Sequence, residues 1–260
     1  MGRLCRPALW AGNDATGSTR DMKTVRIMAI WGALIVAVMV AIRTFAFQSF
    51  SIPSASMDPT LLVGDYLYVN KFAYGYSRYS LPFGVPMITG RVMAAEPRMG
   101  DVVVFKAPAD SITDYIKRVV GLPGDRVRMT GGVLHINGEA VGRERIEDRL
   151  EGTGASVRRQ AQYVETLPNG RKHRILEISD VGPLDNTPEV QVPPGHYFVM
   201  GDNRDISGDS RVPDVGFVPL VNLIGRADLI FFSGDGTSRL WEVWKWPSSI
   251  RFGRMMRMVE

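Results

Sequence analysis

"RVRMTGGVLHINGEAV", residues 126–141, decides the fold class. Three short strand-like runs are separated by Gly131-Gly132 and Asn137-Gly138, pairs that supply the positive φ angles of tight hairpin turns. Outward from it the pattern repeats. "DYLYVNKFAY" (65–74), "DVVVFKAP" (101–108) and "DYIKRVVGLPGD" (114–125) precede it, and "HYFVMGDN" (196–203) and "LIGRADLIFF" (223–232) follow. No helical period persists between residues 60 and 235, so the expected fold is mainly β, with an antiparallel domain built from 46–141 and 191–260. Residues 142–190 are more polar and richer in charge. They read as an inserted, smaller β-rich satellite, with Asn169-Gly170 as its hairpin turn.

The totals exclude several classes. A chain of 260 residues with 45% apolar and 22% charged residues is that of a folded protein, not a disordered one. The formal charge of +4 is modest, and Lys and Arg alternate with acidic residues. Without a basic stripe interleaved with aromatics, nucleic acid is not an expected partner. A single cysteine, Cys5, forbids an internal disulfide and supplies no thiolate zinc cluster.

"IMAIWGALIVAVMVAI" (27–42) is uncharged and lies between Arg26 and Arg43. It is apolar all round, unlike a core helix, and the bulky "RTFAFQSF" that follows lacks the small residues of a cleavable leader. The two arginines can snorkel and lengthen the apolar span, so a single membrane anchor is expected over 25–45. Arg3, Arg6, Arg20, Lys23 and Arg26 precede it and only Arg43 follows before Lys71, which puts a tail of residues 1–24 in the cytoplasm and the β domain across the membrane. Residues 1–20 show no periodicity and read as disordered. Near the other end, Trp241, Trp244 and Trp246 alternate with Lys245, Arg251, Arg254 and Arg257, a composition suited to a bilayer surface as well as to a tail packed on the domain.

Candidate chemistry narrows by elimination. His135, His173 and His196 are far apart with no ligand or triad spacing, and neither a P-loop nor a G-x-S-x-G elbow is present. "GDNRDISGDSR" (201–211) loosely echoes a calcium loop through Asn203, Asp205, Ser207, Gly208 and Asp214. Its first ligand is not Asp, its last is not Glu, and Arg204 and Arg211 intrude, so no metal is expected there. The segment reads instead as a turn neutralised by its own ion pairs. Serine then needs another base. Lysine serves if burial lowers its pKa from about 10.4 by several units. Lys117 has the right setting, on an apolar strand where it shares a face with Tyr115 and Val119 while Arg118 points to the other.

Four blocks, "SIPSASMDPTLLVGD", "DYIKRVVGLPGD", "GDNRDISGDSR" and "GFVPLVNLIGRA", occur in that order over roughly residues 48–232. Together they closely resemble the bacterial type I signal peptidases, membrane-anchored Ser/Lys serine proteases that remove signal peptides from exported preproteins. The resemblance implies Ser56 as nucleophile, Lys117 as general base, Ser54 with the Ser56 N–H as oxyanion hole, and Ser207 as the hydroxyl that orients the lysine. Asp209, Arg211 and Arg118 would support them. Phe50, Ile52, Met57, Leu61, Val104, Tyr115 and Ile116, with Pro53 beside them, would line shallow pockets for small side chains before the cut, as in Ala-x-Ala sites. Ala55 stands where relatives often have Gly. The implied location is the bacterial inner membrane with the catalytic β domain on its periplasmic face. Signal-peptide-bearing preproteins and the bilayer would be the partners, without cofactor or metal.

Three alternatives differ in features the chain displays. Self-cleaving repressors carry a DNA-binding helix pair where this chain has an apolar run. A penicillin-binding or β-lactamase type enzyme needs S-x-x-K, which neither "SASM" nor "SMDP" provides. A tethered, non-catalytic β module would have no need of Ser56 and Lys117 together.

Overall fold

The computed structural model describes residues 15–45, 47–80, 89–151, 158–235 and 246–259. The chain divides into two compact units at Arg43/Thr44.

The first unit is helical. The helix spans Ala15–Phe45, beginning earlier than the disordered tail expected through residue 20. Within it, Met22–Val40 is 19 residues long with a mean hydropathy of 1.8, and none of it is buried. Met28, Trp31, Ile35 and Met39 are exposed, as are the apolar residues on the intervening positions. Apolar side chains on every side of a helix need an apolar surround.

The second unit is built on an eight-stranded antiparallel sheet among the described residues. Its order is Phe47–Ser51, Asp65–Asn70, Leu223–Ser233, Val102–Lys106, Asp114–Gly121, His196–Met200 and Val218–Pro219, with Arg257–Met258 beside Leu223–Ser233. The strand Phe47–Ser51 lies at the edge of this order. Both faces of Asp114–Gly121 are covered. Val119 packs with Val103, Phe105 and Tyr197, and Val120 with Val127, Phe198 and Met200. That double cover is what buries a lysine and an arginine on consecutive positions.

The opening stretch of sequence forms the hairpins it predicts. Arg126–Thr130, Val133–Ile136 and Glu139–Ala140 pair in succession, and Val190–Gln191 completes a four-stranded sheet with them. Gly131, Gly132, Asn137 and Gly138 all have positive φ. A further four-stranded sheet joins Gly142–Arg145, Arg149–Glu151, Arg158–Thr166 and Lys172–Glu177, with Gly170 at φ 81° in its hairpin.

Of the Trp-rich segment, Trp241, Trp244 and Lys245 lie outside the described residues. Arg251 and Arg254 turn inward on the buried Asp65 carboxylate, and Arg254 also donates to the Thr60 carbonyl at 2.9 Å. These two cations are engaged by the domain itself.

Candidate active site

Ser56 sits on a turn held at both ends. Ile52 N–H donates to the Asp65 carbonyl, Gly64 N–H returns to the Ile52 carbonyl, and Leu61 N–H closes on the Met57 carbonyl at 2.8 Å. Asn203 N–H donates to the Ser56 carbonyl at 3.1 Å, tying the turn to the 201–211 loop. Met57 and Leu61 are fully buried beneath it. Apolar residues in a serine- and proline-rich stretch therefore have a purpose: they root the turn in the core.

Lys117 reaches this turn from the strand Asp114–Gly121. Its Nζ lies 2.7 Å from Ser56 Oγ, and the two residues are 3% and 7% exposed. The amine also lies 5.7 Å from the centre of the Tyr115 ring. Burial lowers its pKa from the ordinary 10.5 to about 8. Asp209 and Asp202 oppose the shift and Arg211 adds to it. Both carboxylates are engaged elsewhere, Asp209 by Arg211 at 2.9 Å and Asp202 by Arg118 at 2.7 Å. A serine hydroxyl beside an amine so tuned can act as a nucleophile near neutral pH.

A lowered pKa alone does not single out Lys117. Lys71 is equally buried, and burial takes it too to about 8. Its Nζ donates to the Ser80 backbone carbonyl at 2.5 Å, where there is no hydroxyl proton to abstract.

Around this pair the structure brings together most of the residues singled out in the sequence. Ser54 is exposed, with its Oγ 3.4 Å from that of Ser56. Asp209 accepts from Arg211 Nε and from Gly201 N–H, while Arg211 donates to the Arg204 carbonyl, which folds the 201–211 loop on itself. Ser207 differs from expectation: its buried Oγ makes no hydrogen bond among the described residues, to Lys117 or to any other group. It packs over Gly201, where an added Cβ would stand 2.2 Å from Ser207 Oγ and 2.4 Å from the Ser56 carbonyl oxygen. Only glycine permits that approach.

Arg118 points away from Lys117 and grips Asp202 through Nε at 2.8 Å and Nη2 at 2.7 Å. Arg204 pairs with the buried Glu165, beside which His173 Nε2 lies at 3.3 Å. Burial alone would raise Glu165, but Arg204 and His173 outweigh it and hold the carboxyl at about 2. The 201–211 turn is thus neutralised internally only at Asp209–Arg211; Asp202 and Arg204 find partners 84 and 39 residues away in the chain. Glu165 and His173 carried no local signal, because nothing near either residue in sequence marks it.

Of the expected pocket residues, Phe50, Ile52, Met57, Leu61, Val104 and Ile116 belong to one apolar cluster. Tyr115 lies apart from it, with Val119 and Phe105, on the face that Lys117 shares. Two cavities of about 370 and 350 Å³ lie elsewhere, around Arg171, Lys172, His173 and Met258, and neither is lined by Ser56 or Lys117.

A family model described as signal peptidase, peptidase S26, matches residues 25–232. The signal peptidase I of Rickettsia typhi (strain Wilmington) is 35% identical over 257 residues, covering 92% of this chain and 96% of that one. The signal peptidase I of Rickettsia canadensis is 37% identical over 242 residues, covering 86% and 90%. A crystal structure of a signal peptidase I from Enterococcus faecalis V583 is 24% identical, with 51% of this chain and 97% of that one aligned and a TM-score of 0.30.

Proposed function

This chain belongs to the signal peptidase family, peptidase S26, and we propose that it removes signal peptides from exported preproteins with Ser56 as nucleophile and neutral Lys117 as general base. It is a serine endopeptidase. The observation that carries the residue assignment is the 2.7 Å approach of a buried amine, with a pKa of about 8, to a serine hydroxyl.

In this reading Lys117 Nζ accepts the Ser56 hydroxyl proton as Oγ attacks the scissile carbonyl. The tetrahedral oxyanion meets the Ser56 N–H and the Ser54 hydroxyl, placed beside the attacking oxygen. The protonated amine then gives its proton to the leaving nitrogen, and the neutral amine activates water against the acyl-enzyme ester. The resemblance gives Ser207 the role of steadying the amine, which requires its hydroxyl, unbonded among the described residues, to turn toward Lys117 during the transfers.

The substrate's extended end would lie against the outer edge of Phe47–Ser51, beside the apolar cluster of Ile52, Met57, Val104 and Ile116. Those side chains are close-packed, which favours small residues such as Ala at alternate positions. The anchor would be Met22–Val40, with the N-terminus cytoplasmic and the β unit on the periplasmic face. Exposed aromatics on that unit support contact with a lipid surface: Tyr68 stacks on the half-buried Phe231 at 4.3 Å, with Phe47 and Tyr66, both exposed, as neighbours.

The test is cleavage of a purified preprotein in detergent. Ser56→Ala and Lys117→Met should each lower the rate by about 10⁴–10⁶-fold while the proteins stay folded. Ser54→Ala should lose about 10²–10³-fold. If Lys117→Met kept most of its activity, the base would lie elsewhere. A wild type inert on every preprotein would overturn the substrate class.

A further inference from the structure

A group of buried, poorly partnered carboxyls lies away from Ser56 among the described residues of the β unit. Glu177 ends the strand Lys172–Glu177, Asp185 lies on the following loop, and Asp205 lies two residues before Ser207. One carboxylate oxygen from each falls within 4.8 Å of the others. Glu177 and Asp185 are each 1% exposed. Neither Glu177 oxygen has a hydrogen-bond partner among the described residues, nor has Asp185 Oδ1. An unpartnered buried carboxyl is costly, and here Glu177 converges with the half-satisfied Asp185 and with Asp205.

The neighbouring cations compensate it only in part, and none donates a hydrogen bond to Glu177. Arg204 is bound to Glu165 through both terminal nitrogens, and Arg143 to Asp180 and the Gly132 carbonyl. Glycines let these carboxylates pack directly against the backbone. A Cβ on Gly182 would stand 3.0 Å from Asp205 Oδ1 and 3.1 Å from Asp185 Oδ2. One on Gly132 would stand 2.8 Å from Asp180 Oδ1 and 3.1 Å from Glu177 Oε1. Asp205 Oδ2 is fixed by the Ile178 and Ser179 N–H groups, and Asp185 Oδ2 by Gly182 N–H, which aims the remaining oxygens.

We propose that Glu177, Asp185 and Asp205 form a structural site for a hard divalent cation of the calcium class. Oxygens on one calcium ion can be separated by at most about 4.6–5.2 Å, twice a Ca–O distance of 2.3–2.6 Å, and three oxygens within 4.8 Å of one another satisfy that limit. Magnesium demands shorter distances of about 2.0–2.1 Å and keeps most of its waters, which a site this buried does not favour. The sequence reading excluded a calcium loop at 203–214 because its local spacing fails. The proposed site takes only Asp205 from that loop and draws the other two ligands from 177 and 185. Its effect would be to brace the active-site loop. Leu176 N–H already donates to the Asp202 carbonyl and Arg204 N–H to the Leu176 carbonyl, and the cation would lock the same two segments from their side chains.

The test uses the full chain in detergent after chelator treatment. Calorimetry should show one calcium bound per chain, with magnesium at least tenfold weaker. Calcium at a hundredfold excess over its Kd should raise Tm by roughly 5–10 °C beyond matched NaCl. Glu177→Gln and Asp205→Asn should each weaken calcium binding by about tenfold or more. Glu177→Gln should also match or exceed the calcium-free wild type in Tm, since it replaces a buried carboxyl that has no hydrogen-bond partner among the described residues. Four results would each overturn the proposal: no calcium heat, a Tm rise reproduced by NaCl, equal affinity for magnesium, or an undiminished response in both variants. None of these readouts depends on peptidase activity.

Discussion

Two adjacent cations on the strand Asp114–Gly121 are treated in opposite ways. Arg118 and Lys117 are equally buried, at 2% and 3% exposure. Arg118 closes its fork on the Asp202 carboxylate and sends a third N–H to the Gly100 carbonyl at 2.9 Å. Lys117 instead meets a hydroxyl and the face of an aromatic ring. A guanidinium cannot give up its proton in a protein, so burying one requires a counter-ion. An amine can, and burying it with its nearby carboxylates engaged elsewhere makes it a base. The difference between a structural tie and a candidate catalytic group lies in what each cation is offered, not in how deeply it is buried.

The comparison breaks most visibly at the tie. Arg118→Met would leave Asp202 buried without its ion pair, and such losses cost about 3–5 kcal/mol. Urea unfolding of the detergent-solubilised chain would measure it. A variant as stable as wild type would mean that the pair contributes nothing net and that the contrast is only geometric.

Lys117→Met tests the opposite sign. Its pKa falls from 10.5 unfolded to about 8 folded, so between those values the unfolded chain holds a proton that the folded chain has released. Stability from this group therefore rises with pH across that window. Below about pH 8 the full cost applies, on the order of 3 kcal/mol. Methionine removes it. The variant should be more stable than wild type at pH 7 by up to about 3 kcal/mol, with the gain gone near pH 10.5. Destabilisation at pH 7 would show that the amine is stabilised there as a cation.

How much of this was legible in the sequence depends on range. Turn chemistry is local, and Gly131-Gly132, Asn137-Gly138 and Asn169-Gly170 lie at the hairpins they predict. The apolar helix was legible for the same reason, except for its start, where Ala15–Arg20 shows no periodicity of its own yet continues the helix. Alternation along 114–121 correctly separates Lys117 from Arg118. Their partners were not readable from alternation: Ser56 is 61 residues from Lys117, and Asp202 is 84 from Arg118. The Ser56–Lys117 pairing was available only through four motifs in order. The cluster of Glu177, Asp185 and Asp205 matched no spacing template, because its members meet only after the 201–211 loop docks on the Lys172–Glu177 strand.

The smallest effect sharpens the comparison furthest. If Lys117 is the base, kcat/KM should fall about tenfold for each pH unit below its pKa of about 8, as the amine is protonated. Asp209 raises that pKa and Arg211 lowers it, although the two are paired with each other. Asp209→Asn, which keeps the side chain's shape while removing its charge and one of its two accepting oxygens, should move the acid limb to lower pH by a fraction of a unit. Arg211→Gln should move it upward, and the double variant should return near the wild type. Opposite displacements are hard to produce by a general loss of structure, which would lower the plateau without moving the limb. A limb that stays fixed in both single variants would detach the ionisation from Lys117. The two cations of the strand would then differ in their partners but not in their chemistry.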